Sequence, residues 1–260
     1  MNLVARSQIE SKSGTPIGER ITIRAFRAPD DSMRCTRFIE EHIRVLEDIG
    51  VFNALKPDLS WCNDPNVVVL VVEHELLGMV AGIRVHKASN RQELPMQHCM
   101  ADLDGSVAHV IASLAPNGIA EIAGLWNAHR FAGRGIPKLL MEAAVSVANK
   151  LGVRTLVTFI AEYVAPYAAT SGFVLMDFLK NGGIFEYPVA GIHTHAMVLS
   201  DVVTISQAKT LDRHRILSLR LRPHQDRQEC PKRSMLDVRY ELMEPAPCTN
   251  EVAGRNLYAA

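Results

Sequence analysis

A short glycine-containing segment has the composition of a turn that binds an anion. Ala132-Gly133-Arg134-Gly135-Ile136-Pro137 follows a mostly apolar run, Glu121 to Trp126, and precedes apolar residues at helical spacing. Two glycines allow the backbone to turn closely around an anion, and the following helix directs unpaired N–H groups and its positive dipole end toward it. Pro137 suits the first helical turn, where its missing N–H group removes no hydrogen bond. The segment therefore predicts a strand, a phosphate-binding turn and a helix.

Two common phosphate-binding motifs do not fit this segment. A dinucleotide fingerprint requires a third glycine where the chain has Lys138, and no Walker A sequence of Gly, Lys and Ser or Thr occurs anywhere. The segment resembles the coenzyme A loop of the GNAT acyltransferase superfamily, whose pattern is Arg or Gln, two residues, Gly, one residue, then Gly or Ala. In the register that keeps the helical spacing, Ala132 takes the Arg or Gln position and Pro137 the last one. A strict match begins two residues earlier, at Arg130.

Two further segments resemble this superfamily and come in its order. Ala120-Glu121-Ile122 lies at the spacing of the strand glutamate of histone acetyltransferase-type members, eleven residues before Ala132. Downstream, a β-branched strand from Arg154 to Ile160 leads to a segment that ends in Gly172-Phe173. The resemblance covers roughly residues 21–199. It implies an α+β or α/β fold, in which a mixed central sheet with splayed central strands is flanked by helices.

The resemblance also implies roles for individual residues. The diphosphate of coenzyme A would bind the N–H groups of Gly133, Arg134, Gly135 and Ile136, with the charges of Arg130 and Arg134 nearby, and Ala132 belongs to the same loop. The main chain at Leu125 and Asn127 would pair with pantetheine, while Trp126 is either part of this site or a core aromatic. No metal is expected, since His193 and His195 share a strand face without a further ligand adjacent.

Acyl transfer from a thioester to an amine also requires a base and a proton for the leaving thiolate. Glu121 is the candidate base, because burial in a strand would raise its pKa; a purely structural glutamate is the alternative. The tyrosine that many GNAT enzymes use as an acid aligns with Ala168, and the helix asparagine of the family aligns with Ala161. Tyr167, one residue away, is the candidate acid, and protonation by water is the alternative.

These residues leave three functions open. The first is transfer of an acyl group, most simply acetyl, from coenzyme A to a small-molecule or peptide amine. The second is an enzyme similar to N-acyl amino acid or acyl-homoserine-lactone synthases, which take acyl chains from acyl carrier protein. The third is a non-enzymatic module that binds acyl-CoA, which the substitutions at Ala132, Ala161 and Ala168 favour.

Composition excludes several other classes. The chain has 260 residues, of which 48% are hydrophobic and 22% charged, with a formal net charge of zero, as in a globular protein without a dominant polyanionic partner. The basic stretch from Lys209 to Arg233 lacks interleaved aromatic residues, so nucleic acid is not an expected partner. Five scattered cysteines, no signal peptide and no long apolar run predict a cytoplasmic protein without a membrane span. The sequence leaves a homodimer open.

The chain is predicted to have one main domain with additions. Residues 1–19 are a predicted mobile lead-in, and residues 20–200 form the GNAT domain, with an insertion at 88–118 that contains a helix around Ala101 to Leu114 and helps to shape the acceptor pocket. Residues 201–244 form an extension packed on that domain, with a helix from Ile205 to Leu221 and a strand from Met235 to Met243. Residues 245–260 are a predicted flexible tail.

Overall fold

One mixed β-sheet runs through the protein. A computed structural model describes residues 19–55, 59–89 and 93–243, so the predicted tail and most of the predicted lead-in lie outside the described residues. The strands of the described part are β1 (Glu19–Arg27), β2 (Val67–His74), β3 (Gly78–Lys87), β4 (Ile119–Asn127), β5 (Thr155–Ala161), β6 (Val174–Leu175), β7 (Ile184–Glu186), β8 (His193–Leu199), β9 (His224–Glu229) and β10 (Leu236–Glu241). Their order is β6-β8-β5-β4-β3-β2-β1-β10-β9, and β7 also pairs with β8.

Helices cover both faces of this sheet. They are α1 (Ser32–Asp48), α2 (Phe52–Leu55), α3 (Pro95–Met100), α4 (Val107–Leu114), α5 (Ile136–Ala148), α6 (Ala165–Thr170) and α7 (Thr210–Leu221). On one face, α5, α6 and α7 pack in the largest apolar core. On the other face, α1 covers one apolar cluster and the pair α3–α4 covers a second. A polar region separates these two clusters, and the candidate site lies there.

Local sequence signals account for the first half of the sheet. The buried residues of β1 are Ile21, Ile23 and Ala25, which alternate with more exposed neighbours as the sequence predicted. β2 is buried from Val67 to Val72, so both of its faces are covered. The Asp31 side chain accepts a hydrogen bond from the Arg34 amide at 2.9 Å and caps the start of α1.

The two central strands separate partway along their length. β4 pairs in parallel with β5 from Ile119 to Ile122. Beyond that point β4 continues along β3 as far as Asn127, whereas β5 continues along β8 as far as Ala161. Gly124 lies just after the last β4–β5 pair and has a left-handed backbone, with φ of +61°, next to an irregularity in the β3–β4 register. The predicted mixed sheet and splayed central strands are therefore confirmed.

Two parts of the chain differ from the sequence-based expectation. Of the helix expected around Ala101 to Leu114, only the part from Val107 onward is helical, as α4; residues 101–106 form a non-helical connection after α3, which ends at Met100. The Asp104 carboxylate accepts hydrogen bonds from the amides of Ser106, at 2.9 Å, and Lys180, at 2.8 Å, so it stabilises this connection in place of a continuous helix.

No helix of the described part is long and apolar enough to cross a membrane.

The C-terminal segment belongs to the same sheet. Its helix, α7, begins at Thr210 and not at Ile205, whose φ of +43° is not helical. The predicted last strand is present as β10, which pairs in parallel with β1. β9, at the outer edge of β10, was not predicted. The segment thus adds two strands to the sheet and places α7 against α5.

Candidate functional site

The glycine turn has the backbone that its sequence predicted. Gly133 and Gly135 have φ values of +79° and +81°, in the left-handed region that glycine adopts most readily. α5 begins immediately afterwards at Ile136, with Pro137 in its first turn. The turn therefore presents the N-terminus of a helix that is buried along most of its length.

Some amides of this turn are available to a ligand. The amide of Ala132 donates to His129, that of Arg134 to Phe131 at a long 3.4 Å, and that of Lys138 to Gly135. Within the described part of the chain, no hydrogen bond uses the amides of Gly133, Gly135 or Ile136. Three of the four predicted phosphate-binding amides are thus free, and unpaired amides at a helix N-terminus bind anions. The amide of Ala132 is not available.

Phe131 anchors the turn to the core. Its ring is completely buried, and the Arg134 guanidinium lies 4.8 Å from the ring centroid. Arg134 also forms an ion pair with Glu19 of β1. Arg130 donates to the Leu77 carbonyl at 3.2 Å. Both arginines therefore lie beside the turn, with their side chains held by protein groups.

The C-terminal segment contacts one side of the turn. A methyl group added at Gly135 would lie 2.8 Å from the Pro231 side chain, in the loop between β9 and β10. A methyl group added at Gly133 would meet no atom within 4 Å. The turn is therefore covered at Gly135 and open at Gly133.

The end of β4 contributes its main chain and one polar side chain. The β3–β4 register has no partner for Leu125, next to the opening between β4 and β5. The Asn127 side-chain oxygen is buried and has no hydrogen-bond partner among the described residues. Trp126 is only 3% exposed and its ring packs 5.7 Å from the Phe38 ring, so its side chain is a core aromatic. A ligand at the opening would contact Trp126 through its main chain.

Glu121 is buried beneath the predicted insertion. It is 2% exposed, and one carboxylate oxygen accepts a hydrogen bond from the Met96 amide of α3 at 2.7 Å. Burial raises the pKa of this carboxyl to about 8, although the Met96 hydrogen bond and the Arg84 charge both oppose the rise. Glu121 therefore retains its proton to a higher pH than an exposed glutamate.

A polar cluster surrounds Glu121 on this face of the sheet. We define the cluster as His42, Arg84, His86, Cys99, Glu121 and Tyr187. His86 lies directly opposite Glu121 in the β3–β4 register, and Arg84 lies opposite Ala123. Cys99 and Tyr187 share a hydrogen bond between their side chains. Only Glu121 of this cluster was predicted; the available signal was the pair of polar residues, Arg84 and His86, in an otherwise apolar strand.

Tyr167 lies away from this cluster. It is half-buried on α6 and packs against the core that contains α5. Glu121 lies on the opposite face, with α3. The structure therefore does not bring the two predicted catalytic side chains to one face; the separation of β4 and β5 lies between them.

Other polar regions have different features. The described residues contain no group of three or more His, Cys, Asp or Glu side chains that could hold a metal ion, and His193 lies among carboxylates, 3.5 Å from Glu162 and 3.9 Å from Glu186. A cleft of about 470 Å³ lies where β1, β10 and the start of α1 meet. Arginines at its wall already pair with carboxylates, for example Arg34 with Glu73 at 3.0 Å. This cleft is part of neither the turn nor the polar cluster.

The chain resembles solved acyltransferase structures. Its sequence matches no protein-family model and no curated protein. FeeM, an N-acyl amino acid synthase from uncultured soil microbes, is 14% identical with a TM-score of 0.51, and the match covers 75% of this chain and 98% of FeeM. BjaI, a CoA-dependent acyl-homoserine lactone synthase solved with MTA, is 15% identical with a TM-score of 0.52, and the match covers 87% of this chain and 95% of BjaI.

At identities this low, the similarity to solved structures shows a shared fold and no more. The mixed sheet and the separation of its central strands are features that the sequence resemblance implied, and the glycine turn before α5 is one of the segments on which it depended. From these features and these structural relatives, we conclude that the chain has the fold of the GNAT acyltransferase superfamily.

Proposed function

We propose that this protein is an N-acyltransferase that moves an acyl group, most simply acetyl, from a coenzyme A thioester to a primary amine by direct attack. One observation carries the proposal: β4 separates from β5 directly after Glu121-Ile122 and leads toward a glycine turn in which the amides of Gly133, Gly135 and Ile136 have no hydrogen-bond partner among the described residues. An extended thioester donor fits the opening, and its diphosphate fits the turn. Glu121 then lies on the sheet face where an acceptor would approach.

The residues of the turn and of β4 suit such a donor. The amides of Gly133, Gly135 and Ile136 would bind the diphosphate, and the open side at Gly133 leaves space for it. Arg130 and Arg134 lie alongside and add positive charge. The main chain at Leu125 and Asn127 would pair with the pantetheine arm, and the orphaned Asn127 oxygen would accept one of its amide protons.

The chemical step requires two proton transfers. The amine nitrogen attacks the thioester carbonyl carbon, the C–S bond breaks, and the products are an amide and a thiol. Glu121 would accept the proton that the amine loses, directly or through water, because its raised pKa makes it a stronger base than an exposed carboxylate. Tyr167 or water would protonate the thiolate. α3 must move or admit a water molecule for Glu121 to act, because the carboxyl is buried.

The relatives are compatible with this function and raise the question of the donor. FeeM is described as an N-acyl amino acid synthase and BjaI as CoA-dependent. An acyl carrier protein as donor would use the same pantetheine groove. Transfer assays with acetyl-CoA, longer acyl-CoAs and acyl carrier protein separate these donors.

The first experiment tests donor binding with a charge pair at Gly133. Asn and Asp both tolerate a left-handed backbone, and a side chain at Gly133 meets open space, so Gly133→Asn and Gly133→Asp should fold equally well. We expect Gly133→Asp to bind coenzyme A about tenfold more weakly than Gly133→Asn, because its carboxylate repels the diphosphate. Isothermal calorimetry measures both affinities. Equal affinities, or no affinity in the unmodified protein, would remove the donor site.

The second experiment tests the base. Glu121→Gln should lower turnover about 100-fold or more while donor affinity stays unchanged. In the unmodified protein the rate should rise with pH up to about 8, where Glu121 becomes ionised, and in Glu121→Gln this rise should be absent. Thiol release measured from pH 6 to 9 gives both results. Donor binding without thiol release for any amine would leave a binding module as the function.

A further inference from the structure

Arg84 lies across the point where β4 leaves β5. A methyl group added at Gly124 would be 2.8 Å from both Nε and Nη2 of Arg84, so the guanidinium lies directly over this glycine. The same guanidinium stacks on Trp61, with its central carbon 4.4 Å from the ring centroid. Because the missing side chain at Gly124 creates this position and Trp61 restrains it, the charge of Arg84 is held at the opening between the strands.

This charge dominates the polar cluster. Burial, and after it the Arg84 charge, lowers the pKa values of His42 and His86, so both imidazoles are neutral at neutral pH. The pKa values of the Cys99 thiol and the Tyr187 hydroxyl are raised, chiefly by burial, so these groups are neutral as well. Glu121, with a pKa of about 8, is largely protonated. Arg84 therefore gives the cluster a net positive charge at neutral pH.

Two buried polar atoms beside Arg84 lack partners within the described part of the chain. They are His86 Nε2 and Trp126 Nε1, on side chains that are only 5% and 3% exposed. A methyl group added at Gly82 would lie 2.9 Å from Trp126 Nε1, which places this atom over the strand that also carries Arg84. Buried polar atoms normally form hydrogen bonds, so these atoms indicate a polar ligand or ordered water in the cluster.

From this arrangement we propose that Arg84 binds a carboxylate carried by the acceptor, so that the acceptor is an α-amino acid or a close analogue and not a simple amine. The proposal rests on the acyltransferase function and specifies its acceptor. The guanidinium is planar and matches a carboxylate with two parallel hydrogen bonds, which a lysine would not do. Arg84 is cross-strand from Ala123, and Glu121 is two residues earlier on the same face of β4. A carboxylate on Arg84 therefore positions a neighbouring amino group between Glu121 and the opening.

The test compares two acceptors that differ only in the carboxylate. L-Leucine and isoamylamine, or L-phenylalanine and phenethylamine, are assayed with acetyl-CoA on the unmodified protein, Arg84→Met and Arg84→Lys. Arg44→Met, on an exposed arginine of α1, is the matched control. We expect the unmodified protein to prefer the amino acid, and Arg84→Met to reduce the ratio of the two kcat/KM values by about 100-fold, mainly through the KM of the amino acid. Arg84→Lys should fall between them.

The ratio separates a lost contact from a lost fold. A misfolded variant loses activity with both acceptors to the same extent, whereas loss of the carboxylate contact lowers the activity with the amino acid more than the activity with the amine. The proposal is overturned if the unmodified protein shows no preference for the amino acid, or if Arg84→Met leaves the preference unchanged. It is also overturned if Arg84 selects succinyl-CoA over acetyl-CoA with isoamylamine, because the carboxylate would then belong to the donor.

A binding measurement keeps the inference independent of turnover. L-Leucine should raise the melting temperature of the unmodified protein and of Arg44→Met, but not that of Arg84→Met, and isoamylamine should raise it less. If no amine is acylated but this pattern holds, the acyltransferase function fails and the carboxylate site stands. If acylation occurs and L-leucine gives no shift that depends on Arg84, the carboxylate site fails alone.

Discussion

Three glutamates of the described part are almost completely buried, and the surroundings of two of them, Glu142 and Glu121, differ. Glu142, on α5, accepts a hydrogen bond from Arg215 Nε at 2.8 Å and lies 3.7 Å from Lys138 Nζ. Glu121, on β4, accepts a hydrogen bond from one backbone amide, and the nearest charge that acts on it is Arg84. One carboxyl is thus part of an ion-pair network, and the other lies in the polar cluster that contains Arg84.

The network around Glu142 joins the C-terminal segment to α5, the helix that follows the glycine turn. It consists of Lys138, Glu142, Asp212, Arg215 and Glu229. Arg215 of α7 bridges Glu142 and Glu229, with its Nη1 2.7 Å from a Glu229 oxygen. The Tyr240 hydroxyl donates to Glu229 at 3.0 Å. These ion pairs link α5, α7 and β9, so this region holds parts of the fold together.

The two glutamates differ in the groups that accompany their burial. Burial raises the pKa of both glutamates, to about 7 for Glu142 and about 8 for Glu121. In the network, hydrogen bonds from Arg215 compensate for the lost hydration of Glu142. Near Glu121, the compensation is smaller, and the carboxyl keeps the proton affinity that a base requires. Burial is the largest cause of the rise for both glutamates, and the groups that oppose it differ: Arg215 and Lys138 for Glu142, and the Met96 amide and Arg84 for Glu121.

The largest effect should come from removing the shared cation of the network. Arg215→Met leaves Glu142 and Glu229 buried without their main cation and should lower the free energy of unfolding by about 3–5 kcal/mol. Chemical denaturation measures this loss. Arg222→Met, at the exposed end of the same helix, should change it by less than about 0.5 kcal/mol. A loss below about 1 kcal/mol for Arg215→Met would show that the network is not structural.

Glu121→Gln should change the stability in the opposite direction to Arg215→Met, by an amount that depends on pH. The pKa of Glu121 is raised from 4.5 to about 8 in the folded state, so folding retains a proton that the unfolded chain releases between these values. The stability that this group contributes is complete below pH 4.5 and is lost as the pH rises toward 8. The unmodified protein should therefore lose stability relative to Glu121→Gln across this window, by at most about 1.4 kcal/mol per pH unit.

Denaturation at several pH values measures this slope. The exposed Glu47 provides the control, because Glu47→Gln should give no slope of this kind. Stability that rises with pH relative to Glu121→Gln would mean that the folded state favours the charged carboxylate, and the contrast between the two glutamates would disappear.

The smallest effect should come from the hydroxyl at the edge of the network. Tyr240→Phe removes the hydrogen bond to Glu229 and keeps the ring in the core, so it should lower the free energy of unfolding by about 2 kcal/mol. The same denaturation experiment on Tyr240→Phe and on Tyr163→Phe, an exposed tyrosine, measures the difference. Equal stability of the two variants would place Glu229 outside the network.

Much of the fold is encoded in local patterns, and the exceptions have physical reasons. β2, α1 and α5 were predictable from local signals, which are the spacing of apolar residues, a capping aspartate and a glycine turn. β9, with the sequence HQDRQE, contains no apolar residue, and it is a strand because β10 provides a pairing partner. Its one buried side chain, Glu229, is stabilised by Arg215 and Tyr240. No local window of the sequence contains that information.

The candidate site divides in the same way. The glycine turn and Glu121 lie in one stretch of the sequence, and the resemblance of that stretch to the GNAT superfamily indicated them. Arg84, Cys99 and Tyr187 come from separate elements, and only the sheet register and the position of α3 bring them near Glu121. Ala168 and Ala161 replace the polar residues of the family, and the structure provides a different polar cluster on the opposite face from Tyr167. The assignment of an acid therefore stays a prediction.

The parallel pairing of β1 with β10 has a consequence for biosynthesis. Translation delivers β1 early, and β2 can cover one of its edges soon afterwards. The other edge has no partner until β10, near the far end of the described chain, has left the ribosome. A nascent chain therefore exposes this edge of β1 until β10 has been synthesised, and two neighbouring copies could exchange their β10 strands.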